Sequence, residues 1–239
     1  MTIEEKSISN FFNDKFPLLS LETSGRVFSA SLFLSSQNYI ETNIKIERSQ
    51  SDFIFTALEK LFNLAQVNVF DLKAIILSNG PGSFTGLRVG SAAAKGIAFA
   101  KNLPIITIDT FDALAYQICF NWKDLKQFYV LQNSGRLETI VAKYYRDNSD
   151  EIRNSIEKKV YKSIDLIDLL EKDIFKFYYS QSFKDMMSVE IKGAINIDIL
   201  HSKYVAEYAF LYFNESKMLS DAFNSEPFYI KEFIPRNRQ

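Results

Sequence analysis

Four of the eight glycines in this 239-residue chain lie in one stretch, Asn79-Gly80-Pro81-Gly82-Ser83-Phe84-Thr85-Gly86-Leu87-Arg88-Val89-Gly90, and no other segment restricts the fold as much. Upstream, Lys73-Ala74-Ile75-Ile76-Leu77-Ser78 is a short apolar run of the kind a buried strand needs. Downstream, Leu87 to Lys101 is rich in alanine and free of proline, which predicts a helix. The unit is therefore strand, tight loop, helix. Glycine lets the backbone of such a loop come close to another group, and the amides at the helix N-terminus make a potential anion site. Ser83 and Thr85 are placed to cap that helix. The loop fits neither well-known phosphate pattern. No Gly-Lys-Ser/Thr follows it, and Thr85 stands where a dinucleotide-binding turn has its third glycine. A tight turn without a ligand is the competing reading.

Elements alternate along the rest of the chain. Leu19 to Glu22 reads as a first strand, and Phe28, Ala30 and Leu32 alternate with Ser29 and Ser31 as a half-buried second, joined through Thr23-Ser24-Gly25-Arg26. Ile40 to Glu47 reads as a third, giving an antiparallel meander. A helix over Ser51 to Ala65 follows, then the glycine-loop unit, a strand over Ile105 to Ile108 and a helix over Thr110 to Phe120. Strands alternating with helices predict parallel order for this part. Phe128 to Leu131 and Thr139 to Tyr145 predict a hairpin that opens a second lobe, with further helices near Ser163 to Glu171 and Ile199 to Phe213.

Composition bounds the function classes. With 47% hydrophobic residues the chain can bury a sizeable core. A net charge of −1 disfavours extensive RNA binding by this chain alone. The single cysteine, Cys119, forms no internal disulfide and reads as a small buried residue on a helix. Neither a secretory pattern nor a membrane-length apolar run is present in the sequence, so a cytoplasmic location is expected. His201 is the only histidine. It cannot form a His-x-x-x-His metal pair, and as a surface or cap residue it needs no catalytic partner. No catalytic residue and no metal ligand set is assigned.

The string Gly-Pro-Gly-Ser-Phe-Thr-Gly-Leu-Arg-Val-Gly, followed by Lys95-Gly96-Ile97-Ala98 and Leu103-Pro104-Ile105, resembles the TsaB (YeaZ-type) family of bacterial tRNA threonylcarbamoyladenosine biosynthesis. Leu19-Ser20-Leu21-Glu22-Thr23-Ser24 resembles that family's opening strand, and Glu226-Pro227-Phe228-Tyr229-Ile230-Lys231 its closing motif. The similarity spans about residues 17 to 235 and is thin over Asp147 to Asn224.

The resemblance implies an α/β actin-like ATPase fold of two related lobes, 17–121 and 122–239, behind an extension over 1–16 that reads as a frayed tail or as a strap using Phe11, Phe12 and Phe16. It implies a noncatalytic scaffold that activates a TsaD-type subunit, which itself transfers a threonylcarbamoyl group to N6 of adenosine 37 of tRNA. A TsaE-type P-loop ATPase completes the expected assembly, and a homodimer is the other pairing. ATP and metal are expected on those partners, tRNA contact through the complex, and no cofactor on this chain. Glu22, Thr23 and Ser24 then form a vestigial nucleotide site, in which Glu22 reads as a solvated residue. The alternative is an ATPase or phosphotransferase that holds Mg²⁺ through Glu22 and phosphates through Gly80 to Gly86.

Two helices are the candidate partner surface. Ser51 to Ala65 has an apolar arc wider than one core-facing stripe, and the helix after the loop is lined with small residues that permit close approach. From the residues alone, burial within the fold is as good a reading. The resemblance implies an interface through Phe53, Ala57, Leu58, Leu61, Ala92, Ala94, Lys95 and Ala98. Arg88 and Lys95, seven positions apart, share one side of their helix. The chain departs from the family at Arg48-Ser49, where a histidine commonly precedes serine or threonine, and at Asn133-Ser134-Gly135-Arg136, where an Asp-Ala-Arg motif is usual.

Overall fold

The computed structural model describes residues 9–45, 50–135, 138–147, 151–170, 172–179, 193–220 and 226–230. Apolar alternation in the first segment builds an antiparallel meander of β1 (Leu18–Glu22), β2 (Val27–Phe33) and β3 (Tyr39–Lys45). After α1 (Gln50–Ala65), β4 (Ala74–Ser78) returns parallel to β1. After α2 (Phe84–Lys101), β5 (Ile105–Ile108) lies parallel to β4. Helix α3 (Thr110–Asn121) then leads into a second sheet with the same plan. There β6 (Gln127–Gly135), β7 (Glu138–Arg146) and β8 (Ile152–Lys162) form a meander. Past α4 (Leu166–Leu169), β9 (Phe175–Tyr179) runs parallel to β6 and β10 (Ile195–Ile197) parallel to β9. Both lobes thus place a three-stranded meander beside two parallel strands, so the expected relation between them lies in topology.

The chain then turns back. Helix α5 (Ser202–Tyr212) packs on the first sheet, α6 (Glu215–Met218) follows, and β11 (Leu219–Ser220) pairs antiparallel with β5 at the sheet edge. Part of the 122–239 segment is therefore built onto the first lobe.

The first sheet is covered on both faces. Leu19, Leu21, Ala30, Leu32, Ile75 and Leu77 pack against α1 and α2, whereas Leu18, Ile76, Ile106 and Ile108 face α3 and α5. Those two helices also meet Phe128, Val130 and Phe177 of the second sheet, giving one core between the sheets. Each such fully buried side chain contributes about 1.5–3 kcal/mol of apolar transfer. The second strand is consequently not half-buried. Ser29 and Ser31, expected to face water, are fully buried because α5 lies over them.

Two other expectations change, and the open reading of the N-terminal extension is decided. The helix expected near Ser163 to Glu171 is a 3₁₀ turn (Ser163–Asp165) plus the four-residue α4, and Thr85 lies inside α2 while Ser83 alone caps it. The described part of the N-terminal extension is a strap. Phe12 is fully buried, its ring 5.0 Å from Phe210, Phe11 stacks on Phe213 at 4.2 Å, and Ser9 N–H donates to Phe210 O. Arg48, Ser49 and Arg136 lie outside the described residues.

Candidate functional site

The glycine loop joins the C-terminal end of β4 to α2, the sheet edge where open α/β folds carry ligands. Its immediate surroundings are protein. Ser83 N–H donates to Ser24 O at 2.8 Å, and Gly86 N–H to Ser83 Oγ at 3.2 Å, so two of the loop amides already have oxygen partners. Gly82 packs directly on the turn after β1, and a Cβ there would come within 2.5 Å of Ser24 Cβ and 2.9 Å of its Cα. Gly80 has φ +109°, and a side chain on it would strike the carbonyl oxygen of Phe228. The closing segment reaches the loop through Phe228 N–H to Asn79 O at 2.7 Å and Asn79 Nδ2 to Glu226 O at 2.8 Å. Tyr229 lies 5.2 Å from the Phe84 ring, over which the exposed Arg88 guanidinium stacks at 4.4 Å. Pro81 and Gly86 are buried, whereas Ser83, Phe84 and Thr85 are exposed.

Glu22 is not solvated. It ends β1 on the face that Ser20 turns towards α5, and it is fully buried. Its Oε1 accepts from Ser24 N–H and Ser24 Oγ at 2.5 Å each, and from the Tyr179 hydroxyl at 3.2 Å. Tyr179 belongs to β9, so the bond joins the two sheets. Burial pushes the Glu22 carboxyl above its usual range, against the hydrogen bonds from Ser24, Ser78 and Tyr179. Its Oε2, Thr23 Oγ1 and Ser78 Oγ are buried without a hydrogen bond of normal geometry. The donors for a hard cation are thus one carboxylate and hydroxyls. Among the described residues no group of three histidine, cysteine or acidic side chains is arranged to hold a metal ion.

A second polar cluster surrounds the start of α5. Glu41 Oε1 accepts from Lys203 N–H and Ser31 Oγ, both at 3.1 Å, and Oε2 meets His201 Nδ1 at 2.8 Å. Burial raises the Glu41 carboxyl, but the bonds from His201, Lys203 and Asn43 prevail and hold it down at about 2. His201 occupies the N-cap position of α5. The neighbouring serine hydroxyls bond to Glu41 and to one another rather than to the imidazole. This is a helix anchor without the order of a nucleophile triad.

Asp109, the N-cap of α3, accepts from Phe111 and Asp112 N–H and pairs with Lys158 of β8. Burial, then the charge of Asp112, raise its carboxyl to about 6. Tyr144 donates to Asp112 Oδ1 at 2.7 Å.

The eight candidate interface residues divide. Ala57, Leu58, Leu61, Ala94 and Ala98 are buried between α1, α2 and the sheet, with Ala94 and Ala98 fully so. That corrects their expected placement at an open surface, because the stripe facing the sheet takes these positions. Phe53 is 53% exposed, Ala92 is exposed and Lys95 half-buried. The open side of α2 runs through Thr85, Arg88, Ala92 and Gly96, and a Cβ on Gly96 would meet nothing within 4 Å. Phe55 and Leu64 extend the exposed apolar set on α1. Sequence reasoning missed Tyr179, Glu41 and the docking role of Phe228, because each acts on a segment distant in sequence.

The repeated sheet plan, with a glycine loop between a parallel strand and its helix, defines an α/β protein of the actin-like ATPase fold. A family model described as TsaD: tRNA N6-adenosine threonylcarbamoyltransferase matches residues 44–208. The chain belongs to this family, as a TsaB/YeaZ-type member. Over 98 residues it is 32% identical to the tRNA threonylcarbamoyladenosine biosynthesis protein TsaB of Haemophilus influenzae, covering 41% of each chain. Over 117 residues it is 30% identical to TsaB of Buchnera aphidicola, covering 48% of this chain and 52% of that one. The match thus spans about half or less of these relatives' lengths. YeaZ from Pseudomonas aeruginosa has the same fold, with a TM-score of 0.71, 19% identity, and coverage of 89% of this chain and 98% of that one.

Proposed function

We propose that the chain acts in tRNA N6-threonylcarbamoyladenosine formation as a noncatalytic scaffold, binding a TsaD-type catalytic subunit through the outward face of α1 and α2. The observation that carries this is the division of those helices. Their inner stripes fill the core, while Phe53, Phe55, Ala92 and Gly96 leave an outer face of aromatic and small residues. A helix of a partner can approach closely at Ala92 and Gly96 and receive the aromatic side chains of α1. A second copy of the chain could use the same face, and a TsaE-type ATPase would join through the catalytic subunit. We assign no nucleotide cofactor to this chain. That reading is supported by the contact of Gly82 with Ser24, the Phe228 carbonyl over Gly80, and the Tyr179 hydroxyl on Glu22, which engage the loop and the carboxylate with groups of the chain itself.

The test is size-exclusion chromatography with light scattering of the chain mixed with its host's TsaD-type protein, with and without Mg-ATP. A stable heteromer lost in an Ala92→Arg variant supports the proposal. Failure of two well-folded proteins to associate overturns it, and saturable, Glu22-dependent heat on Mg-ATP titration would favour the ATPase alternative.

A further inference from the structure

A cavity of about 570 Å³ opens where α3, β7, β8, α5 and α6 meet, away from both the glycine loop and the outer face of α1 and α2. We propose that it binds a nucleotide, free or as one unit of single-stranded RNA. The lining has the three parts such a ligand needs. Tyr145 and Tyr208 supply aromatic surface of the kind on which bases stack, whereas Tyr144 is buried behind them in the core. Asp112 and Asn154 supply groups for a base edge. Asp112 Oδ1 is taken by the Tyr144 hydroxyl, which leaves Oδ2 as the carboxylate atom to accept from an exocyclic amine. Lys217 and Arg153 supply positive charge at the rim. Arg153 is engaged by Asp147 and Glu151, so Lys217, which has no ion pair among the described residues, is the phosphate contact.

The size agrees, since small-ligand sites run from about 300 to 1,000 Å³. Charge decides between ligand classes. Asp112 gives the inner end a negative charge, the Asp109–Lys158 pair beside it being balanced, and this suits amine donors and repels a second phosphate there. Of the two rim cations, Lys217 alone has no carboxylate partner among the described residues. A base directed inwards with one phosphate outside satisfies both ends, whereas a di- or triphosphate does not. The site concerns the chain alone and is independent of whether a TsaD-type partner binds.

The experiment titrates the full chain with adenosine 5′-monophosphate, adenosine and a six-residue adenosine oligoribonucleotide, following heat or tyrosine fluorescence. Saturable binding of the monophosphate, with adenosine at least tenfold weaker, is expected. Lys217→Glu and Tyr145→Ala, both at exposed side chains, should each weaken it about tenfold or more, while Glu22→Gln leaves it unchanged. An oligonucleotide that binds more tightly than the monophosphate identifies RNA as the source, and one that does not identifies the free nucleotide. The proposal is overturned if neither the monophosphate nor the oligonucleotide saturates, or if Lys217→Glu binds like the unaltered chain.

Discussion

Glu41 Oε1 accepts the main-chain N–H of Lys203 at 3.1 Å, so an edge strand of the first sheet supplies the carboxylate that caps a helix 162 residues further along the chain. The α5 N-terminus has no side-chain cap of its own from His201, and the carboxylate sits where the helix dipole is positive.

The Glu41 carboxyl is held at about 2, below its ordinary 4.5, so folding favours its ionised form. Its contribution is fully present above pH 4.5 and is lost as pH falls from there towards 2. The shift corresponds to about 3 kcal/mol. Glu41→Gln should lower stability by an amount of that order at pH 7 and flatten the loss between pH 4.5 and pH 2, measured by urea unfolding across pH.

Gly82→Ala tests whether the glycine loop is a packed joint. The added Cβ would meet backbone and Cβ atoms of Ser24, neither of which is the free end of a flexible side chain. Overpacking of this kind costs about 1–3 kcal/mol. A melting temperature lowered by several degrees is expected, whereas an unchanged one would mean the loop has room to move off the β1–β2 turn.

The Glu22 carboxyl behaves in the opposite sense to Glu41. Burial raises it above 4.5, so the folded state prefers the protonated form, and the stability associated with it is present below 4.5 and lost as pH rises. Glu22→Gln keeps a group that can bond to Ser24 and Tyr179 and removes the charge. At pH 8 the variant should be as stable as the parent or more so, whereas Tyr179→Phe should cost about 1 kcal/mol at any pH by removing the bond between the sheets. Thermal melts at pH 5 and pH 8 separate the two effects.

Local pattern made much of the first lobe legible in the sequence. The apolar run ending at Ser78 and Ser83 ahead of α2 each reflect interactions within a few residues, and the structure keeps them, as it keeps the strand, though not the open face, that Phe28, Ala30 and Leu32 mark. In the second lobe β8 escaped notice because Ile152, Ile156 and Val160 recur every fourth residue among charges, a spacing that does not alternate as a strand should. Strand β9 carries the informative Tyr179 but is a short aromatic run with no turn signal. Polarity misled at Ser29, Ser31 and Glu22, where α5 and β9 cover the side chains from more than 150 residues away.

The same long-range covering decides how the partner surface must be tested. Charge introduced at Ala57 or Ala94 would be a core lesion, because these positions are 4% and 0% exposed and pack in the α1–α2 cluster. Ala94→Arg should therefore destabilise by more than about 4 kcal/mol or prevent folding, and loss of partner binding in that variant would carry no information. Ala92→Arg places the same charge two residues away on the exposed side of α2, and Gly96→Arg meets open space on that side. Both should melt within about 0.5 kcal/mol of the parent, the range usual for surface substitutions away from special features. Both should also lose a TsaD-type subunit in pull-down, since a helix seated at Ala92 and Gly96 cannot accommodate a guanidinium between the backbones. Retained pull-down by both, with parental melting, would place the docking surface elsewhere on the chain.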